Sequence, residues 1–405
     1  MKALVILGAA DGALSTYRVA NELGYRTIAV DQSAAAPGVR VADEYLPIST
    51  RDVDAILAAL GNRTDVAGVL APCSDVAVPT VRALTVALGL PVRLTALAAR
   101  ASLDKWVLRG ILDELGVPSY GWVKSDDPID LAERASGLRF PVVVKPADAQ
   151  GGRAVTRCAV ADDVLAAAKE ASQRSYGGGV MAEEEVSGIH CNGECIVDGG
   201  RVVFMAMTRQ TMSPPPQALT LARHMPSGLP PDVEHATRAI VDKICARLEY
   251  QQGPLNFDVV VAPDGAPHLI ELGLRTGGNG TDDMVRHCYG VDPIRAAVQA
   301  AIGEAIDLTP HPPQPVGWQV LTADKEGVLT SISGQAQART IPEVAELVVL
   351  AKPGQPVRPY QDVTDRLGWF VVKAPAIPAL SSSAERVVAT LRFEVSSPEM
   401  DHANG

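Results

Sequence analysis

Aromatic residues are scarce: phenylalanine, tryptophan and tyrosine make up 4% of the 405 residues, while hydrophobic residues as a whole reach 47%. The cores must therefore be filled mainly by alanine, valine, leucine and isoleucine, a bias that suits alternating strands and helices. Cysteine is also sparse. The six (Cys73, Cys158, Cys191, Cys195, Cys245, Cys288) are too few for a disulfide framework in so long a chain, and without an export signal they are expected as reduced thiols. His190, Cys191 and Cys195 lack the second ligand pair downstream that a zinc site requires. No apolar run approaches the roughly 20 residues needed to span a bilayer. The start, Met1 to Gly8, carries one charge and a short apolar run that reads as a first strand and not as a secretion signal. Basic residues are outnumbered, 36 against 47 acidic, for a net charge of −11. That balance argues against a general nucleic-acid or membrane surface and leaves room only for local basic pockets. The expected compartment is the cytoplasm.

The length predicts two or three domains with sizeable cores. Residues 3–7 read as a strand, Gly8 to Gly12 as a small-residue turn, 13–23 as a helix and 26–30 as a second strand closed by Asp31. This is how a nucleotide-binding fold begins. Its Gly-x-x-x-Gly spacing is not the dinucleotide fingerprint, and the glycines serve equally well for a tight turn packed on a sheet. Residues 66–70 form another expected strand, followed by Pro72-Cys73-Ser74-Asp75 and a helix through Leu88. Gly89-Leu90-Pro91 closes the first region. From about Thr95 the character changes, and Ser102-Leu103-Asp104-Lys105 opens a helix with Ser102 available as its cap and Asp104 near its positive end.

Two runs carry most of the chemistry. Phe140-Pro141-Val142-Val143-Val144-Lys145-Pro146 places a lysine at the end of a β-branched run. Leu255-Asn256-Phe257-Asp258 and Leu269-Ile270-Glu271-Leu272-Gly273-Leu274-Arg275 place two carboxylates on successive strand-like segments, with an arginine four positions after the later one. Pro263-Asp264-Gly265 predicts a turn between these segments, so a hairpin can bring both carboxylates to one ion. A lysine for phosphate and two carboxylates for magnesium suggest a nucleoside-triphosphate site. The segment from Ala147 to Val155, with Gly151 and Gly152, is a small loop between strands whose amides can approach phosphate oxygens, though it lacks the lysine and hydroxyl of a P-loop. Val180 to Gly188 ends another apolar run in Glu183-Glu184-Glu185.

The order of these motifs, over about 170 residues from Lys105 to Arg275, resembles the ATP-grasp superfamily and, within it, the carboxylate-amine ligases, including the L-amino acid ligases. The resemblance implies an α/β and α+β multidomain protein with an ATP-grasp fold: a Rossmann-like pre-ATP-grasp domain over 1–94, the ATP-grasp domain over 95–305, and a carboxy-terminal α+β portion over 306–405 that packs on the grasp domain. It also implies that Lys105 and Lys145 neutralise the ATP phosphates and that Glu183 and Glu184 belong to the adenine hinge, where Glu183 accepts the adenine amino hydrogens. Val186 would supply backbone contacts, and Asp258 and Glu271 would hold Mg2+ or Mn2+. Two positions depart from the family pattern. Gly273 stands where asparagine usually supplies a further metal ligand, so Asn279 or water takes that role, or one metal is held more weakly. His190 stands where glutamate often contacts the ribose, with a structural role equally open. Segments near Ala351 to Val357, Asp365 to Trp369 and Ala384 to Arg386 resemble the carboxy-terminal part of the amino acid ligases.

The chemistry implied is phosphoryl transfer from ATP to a carboxylate, then displacement of phosphate by an amine. Arg275 and Lys145 are the candidate catalytic residues, Arg275 stabilising the transferring phosphoryl group and the later oxyanion. Gly277 and Gly278 can turn amides toward the acyl phosphate. Asp282 or Asp283 can hold an ammonium or cap the helix that follows. Arg209, Arg223 and His224 flank Met212-Ser213-Pro214-Pro215-Pro216-Gln217, a candidate lid between strand and helix. The expected partners are small-molecule carboxylate and amine substrates, with no nucleic acid and no membrane, and homodimerisation is left open. A carboxylase or nucleotide-biosynthesis ligase would share the ATP site, and a non-catalytic nucleotide-binding regulator would bind without turnover.

Overall fold

The computed structural model describes residues 1–149, 154–214 and 219–396. The first sheet is parallel, in the order β3-β2-β1-β4, with β1 Ala3–Leu7, β2 Arg26–Val30, β3 Glu44–Leu46 and β4 Val66–Leu70. All five β1 residues are buried because both faces of the sheet are covered. Ile56, Ala77 and Leu84 pack on one face, and Tyr17, Ala20, Ile294 and Val298 on the other. The last two come from the distant helix Pro293–Ile302, which docks this sheet onto the rest of the molecule. Only glycine permits the contact at residue 68, where a Cβ would stand 2.6 Å from the Ala301 carbonyl oxygen.

A second, antiparallel sheet runs β5-β8-β6-β7, from β5 Trp122–Ser125, β6 Val142–Pro146, β7 Thr156–Cys158 and β8 Val180–Glu184. Val142, Val144, Val180 and Ala182 face a core shared with Leu131 and Ala168 from the covering helices. The third sheet is built on β9 Ile189–Asp198, β10 Arg201–Met212, β11 Thr220–Met225, β12 Gln252–Val261 and β13 Pro267–Gly273. Further along come β14 Val316–Leu321, β15 Gly327–Ser333, β16 Val344–Val349, β17 Pro356–Val357, β18 Gly368–Lys373 and β19 Arg392–Ser396. The third sheet has eight strands in the order β13-β12-β9-β10-β11-β14-β18-β16, so strands on both sides of residue 305 share one hydrogen-bonded sheet. β17, β15 and β19 form a smaller sheet beside it.

The hairpin anticipated at Pro263-Asp264-Gly265 is the β12–β13 pair, closed by the Ala262 amide donating to the Ala266 carbonyl at 2.9 Å. Two local expectations change. Asp104, not Ser102, caps the helix Lys105–Glu114, its carboxylate accepting from the Trp106 amide at 2.9 Å, while the Ser102 hydroxyl accepts from the Leu274 amide at 2.9 Å. The proline-rich segment after Met212 leads into β11, not into a helix, and 215–218 lie outside the described residues. Cys191 and Cys195 are buried in the main core. Among the described residues, no helix is long and apolar enough to cross a membrane.

Candidate active site

The three large sheets meet around a set of buried charges. Lys105 and Arg109 lie one turn apart on the helix Lys105–Glu114, so both side chains leave the same face. Arg109 is 1% exposed. Its Nε donates to Glu183 Oε1 at 2.6 Å, while its Nη atoms donate to the Leu269 and Ile270 carbonyls at 2.6 and 2.8 Å. One guanidinium thereby ties β8 of the second sheet to β13 of the third, with the Tyr120 ring 4.5 Å from it. Glu183 Oε2 pairs with the Lys145 ammonium, so both oxygens of the glutamate assigned to adenine face cations inside the protein. Burial alone would raise the Glu183 pKa, but Arg109 and Lys145 outweigh it and hold the carboxyl below its ordinary value. Burial lowers Lys145. The sequence reading missed Arg109, although its spacing of four from Lys105 was the available signal.

Val186 follows the end of β8. Among the described residues, neither its amide nor its carbonyl bonds another backbone group. Glu184 turns aside to Arg139, accepting from its amide at 3.0 Å and pairing with its guanidinium at 3.3 Å. His190 lies on β9, where burial lowers its pKa and Glu185 partly opposes the shift. Gly151 and Gly152 lie outside the described residues.

On the third sheet, Asp258 and Glu271 are direct cross-strand neighbours. Asp258 Oδ1 accepts from Asn192 Nδ2 at 3.1 Å, and burial, reinforced by Glu271, pushes its carboxyl up to about 6. Glu271 Oε1 lies 3.4 Å from Lys105 Nζ, which also donates to the Ala149 carbonyl at 2.7 Å. Burial would raise Glu271, but Lys105, Lys145 and Arg275 hold it below the usual range. Two adjacent carboxylates form a hard-oxygen platform. Among the described residues no three histidine, cysteine or acidic side chains gather to cage a metal. This donor set fits magnesium, which keeps waters and takes the rest of its shell from phosphate oxygens. Asn279 does not join the pair: its side-chain oxygen accepts from Arg366, and its backbone is left-handed at φ 55°.

Arg275 reaches across sheets. Its Nη2 donates to Asp75 Oδ2 at 2.7 Å and its Nη1 to Asn256 Oδ1 at 3.0 Å. Asp75 follows β4 at the carboxyl end of the parallel sheet, where open α/β sheets bind ligands. Its position there was the overlooked signal. The pair also explains Gly273, because a Cβ at that residue would collide with Asp75 Oδ1 and stand 3.1 Å from the guanidinium carbon of Arg275. An asparagine there would have to displace the arginine's own partner.

The loop after Arg275 is held from beneath. The Gly277 amide donates to Glu194 at 2.9 Å, so it turns inward and not toward a phosphate. Burial pushes Glu194 up to about 8, against the lowering effects of Asn256, Arg275 and Gly277. Cys73 Sγ donates to the Gly277 carbonyl at 3.1 Å, and the Gly278 carbonyl accepts from the Thr281 hydroxyl at 2.8 Å. Asp282 and Asp283 sit in the first turn of the helix Thr281–Tyr289, but neither caps it, since Gly280 holds the N-cap position. Burial raises Asp282 to about 7, with Asp283 adding to the shift. The three basic candidates near the proline-rich segment divide. Arg209 and His224 are cross-strand partners on one face of the sheet, so the neighbouring Arg223 belongs to the other. Arg223 donates to the Thr281 hydroxyl at 2.8 Å and the Asn279 carbonyl at 2.9 Å, over the Trp318 ring.

Residues 319–396 match a family described as L-amino acid ligase C-terminal domain 2. The chain is 27% identical over 299 residues to an uncharacterised protein, y4rH, of Sinorhizobium fredii, a match covering 72% of this chain and 61% of that one. It thus spans about three fifths of the length of that curated relative. Among solved structures it resembles an L-amino acid ligase from Bacillus licheniformis, with TM-score 0.84, 19% identity, and coverage of 98% of this chain and 99% of that one. It also resembles the biotin carboxylase domain of 2-oxoglutarate carboxylase from Hydrogenobacter thermophilus, a structure that holds magnesium ADP and bicarbonate. There the TM-score is 0.76 at 17% identity, covering 98% of this chain and 91% of that one. The protein has the multidomain α/β architecture of the ATP-grasp fold, a Rossmann-like parallel sheet joined to antiparallel sheets.

Proposed function

We propose that the protein is an ATP-dependent carboxylate-amine ligase acting on amino acids or small carboxylic acids. The observation that carries this reading is the convergence of Lys105, Lys145, Asp258, Glu271 and Arg275 where the three sheets meet, with Lys105 Nζ 3.4 Å from Glu271. The match of residues 319–396 to an L-amino acid ligase domain supports an amino acid as substrate. Lys105 and Lys145 neutralise phosphate oxygens, and Val186 offers its backbone to the adenine edge. On binding nucleotide, Lys145 exchanges part of its pairing with Glu183 for phosphate. Asp258 and Glu271 would hold the magnesium ion, whose charge draws off electron density from the phosphates.

A carboxylate oxygen of the first substrate attacks the γ-phosphorus in line, the bond to the β-phosphate oxygen breaks, and ADP leaves. The product is an acyl phosphate. The amine nitrogen of the second substrate then attacks the acyl carbon, loses its proton, and expels inorganic phosphate. Arg275, held rigid and charged by Asp75, faces the negative charge that develops in both steps.

The test is ADP and phosphate release with pairs of amino acids, together with mass spectrometry of the product. Equal amounts of ADP, phosphate and a condensed product are expected. ADP release that requires bicarbonate, or nucleotide binding with no turnover on any pair, overturns the proposal. Glu271→Gln should abolish ADP formation while leaving the circular dichroism spectrum unchanged.

A further inference from the structure

A cleft opens between the first sheet and the third, with an empty volume of about 720 Å³ that includes the solvent at its mouth. Its walls are mostly apolar, with Val78, Val81, Leu274 and Ala297 among them, and they include Arg82 and Arg93. Among the described residues, neither guanidinium makes a hydrogen bond or an ion pair, and the Nε of each is buried without a partner. Glu249 lines the adjoining groove with both arginines but forms no ion pair with either. Arg93 Nη2 comes within 3.2 Å of where a Cβ on Gly303 would be, at the carboxyl end of the helix Pro293–Ile302, whose carbonyl dipoles favour a cation weakly. Acidic residues outnumber basic ones 47 to 36 in this chain, yet among the described residues none is paired with these two arginines. A half-buried guanidinium without a counter-charge is costly, and two of them over an apolar wall describe the complement of one kind of molecule.

We propose that this cavity binds a small anionic amphiphile, whose carboxylate or sulfonate lies between Arg82 and Arg93 and whose hydrocarbon part fills the apolar wall. The site is separate from the pair Asp258 and Glu271, and it touches the active-site region only through Arg275 and Thr276, which form part of its lining. It does not depend on the ligase reading, because occupancy is measured without turnover.

The probe is 8-anilinonaphthalene-1-sulfonate, followed by its fluorescence, with the uncharged N-phenyl-1-naphthylamine as the matched control. One sulfonate probe per chain is expected to bind to the natively folded protein, checked by cooperative thermal unfolding. Arg82→Gln and Arg93→Gln should each weaken it at least about tenfold, the loss expected for one charge-assisted hydrogen bond, and change the uncharged probe by less than about twofold. Both arginines are partly exposed, so these variants are expected to fold. Unchanged sulfonate affinity in both variants overturns the proposal. So does equal weakening of the two probes, which would mean that only the apolar wall had been altered.

Discussion

The second and third sheets both carry acidic residues toward the same region, but they treat the charge differently. At the end of the second sheet, Glu184 pairs with an Arg139 side chain that is 76% exposed, and Glu185 with a partly exposed Arg157. Such pairs contribute little, because water screens the attraction and two long side chains must be ordered. Only Glu183 turns inward. From the third sheet the polar groups form one buried chain: Glu194 accepts from Asn256 at 3.0 Å, Asn256 accepts from Arg275 at 3.0 Å, and Arg275 donates to Asp75 at 2.7 Å. Removing one member there strands the next in a medium that cannot solvate it. Exposed pairs close the end of the second sheet, while buried groups set the geometry of the floor.

The sharpest way to break this contrast is Arg275→Ala. Turnover should fall by about 10³-fold, as for loss of a charge that meets the transition state, while nucleotide affinity changes only a few-fold. A drop below tenfold would mean that the floor network is scaffold alone. Glu183→Gln comes next. It leaves Arg109 and Lys145 buried without their counter-charge and should cost about 3–5 kcal/mol in urea denaturation, and a cost near that of an exposed pair would erase the distinction between the sheets.

Glu194→Gln tests the floor through pH. The folded carboxyl, raised to about 8, lies above its ordinary value of 4.5, so the fold favours the protonated form. That stabilisation is complete below the unfolded value and is lost as pH rises through about 8. Relative to the glutamine variant, the wild type should lose on the order of 3 kcal/mol between pH 5 and pH 9, and parallel stability profiles would reject the assignment.

Gly273→Asn should lower turnover by about 10–100-fold by displacing Arg275, and the same change in an Asp75→Ala background should cost much less. Additive losses would show that the two residues do not compete for space. The smallest effect belongs to Glu185→Gln, which should change stability by less than about 1 kcal/mol. A larger loss would place the acids at the end of the second sheet in the same class as the floor.

Much of the scaffold was legible because it is local. The β-branched run before Lys145 forms β6, the turn residues at Pro263-Asp264-Gly265 close a hairpin, and that hairpin makes Asp258 and Glu271 neighbours. The partners of these residues were not legible. Ser102 looked like a cap because its type and position suit one, yet its hydroxyl is drawn to an amide 172 residues away. Glu183 was assigned to a ligand, and the protein itself supplies the cations that occupy its oxygens.

The sequence alone determined the alternation of strands and helices and the spacing that places a lysine and two carboxylates on strands and an arginine just past one, because hydrophobic period and turn chemistry act over a few residues. Only the tertiary structure decided which groups meet. Arg109 finds Glu183 across 74 residues, and Arg275 finds Asp75 across 200. Such pairings follow from how whole sheets dock, and from the demand that a charge taken out of water find an opposite charge wherever the fold provides one.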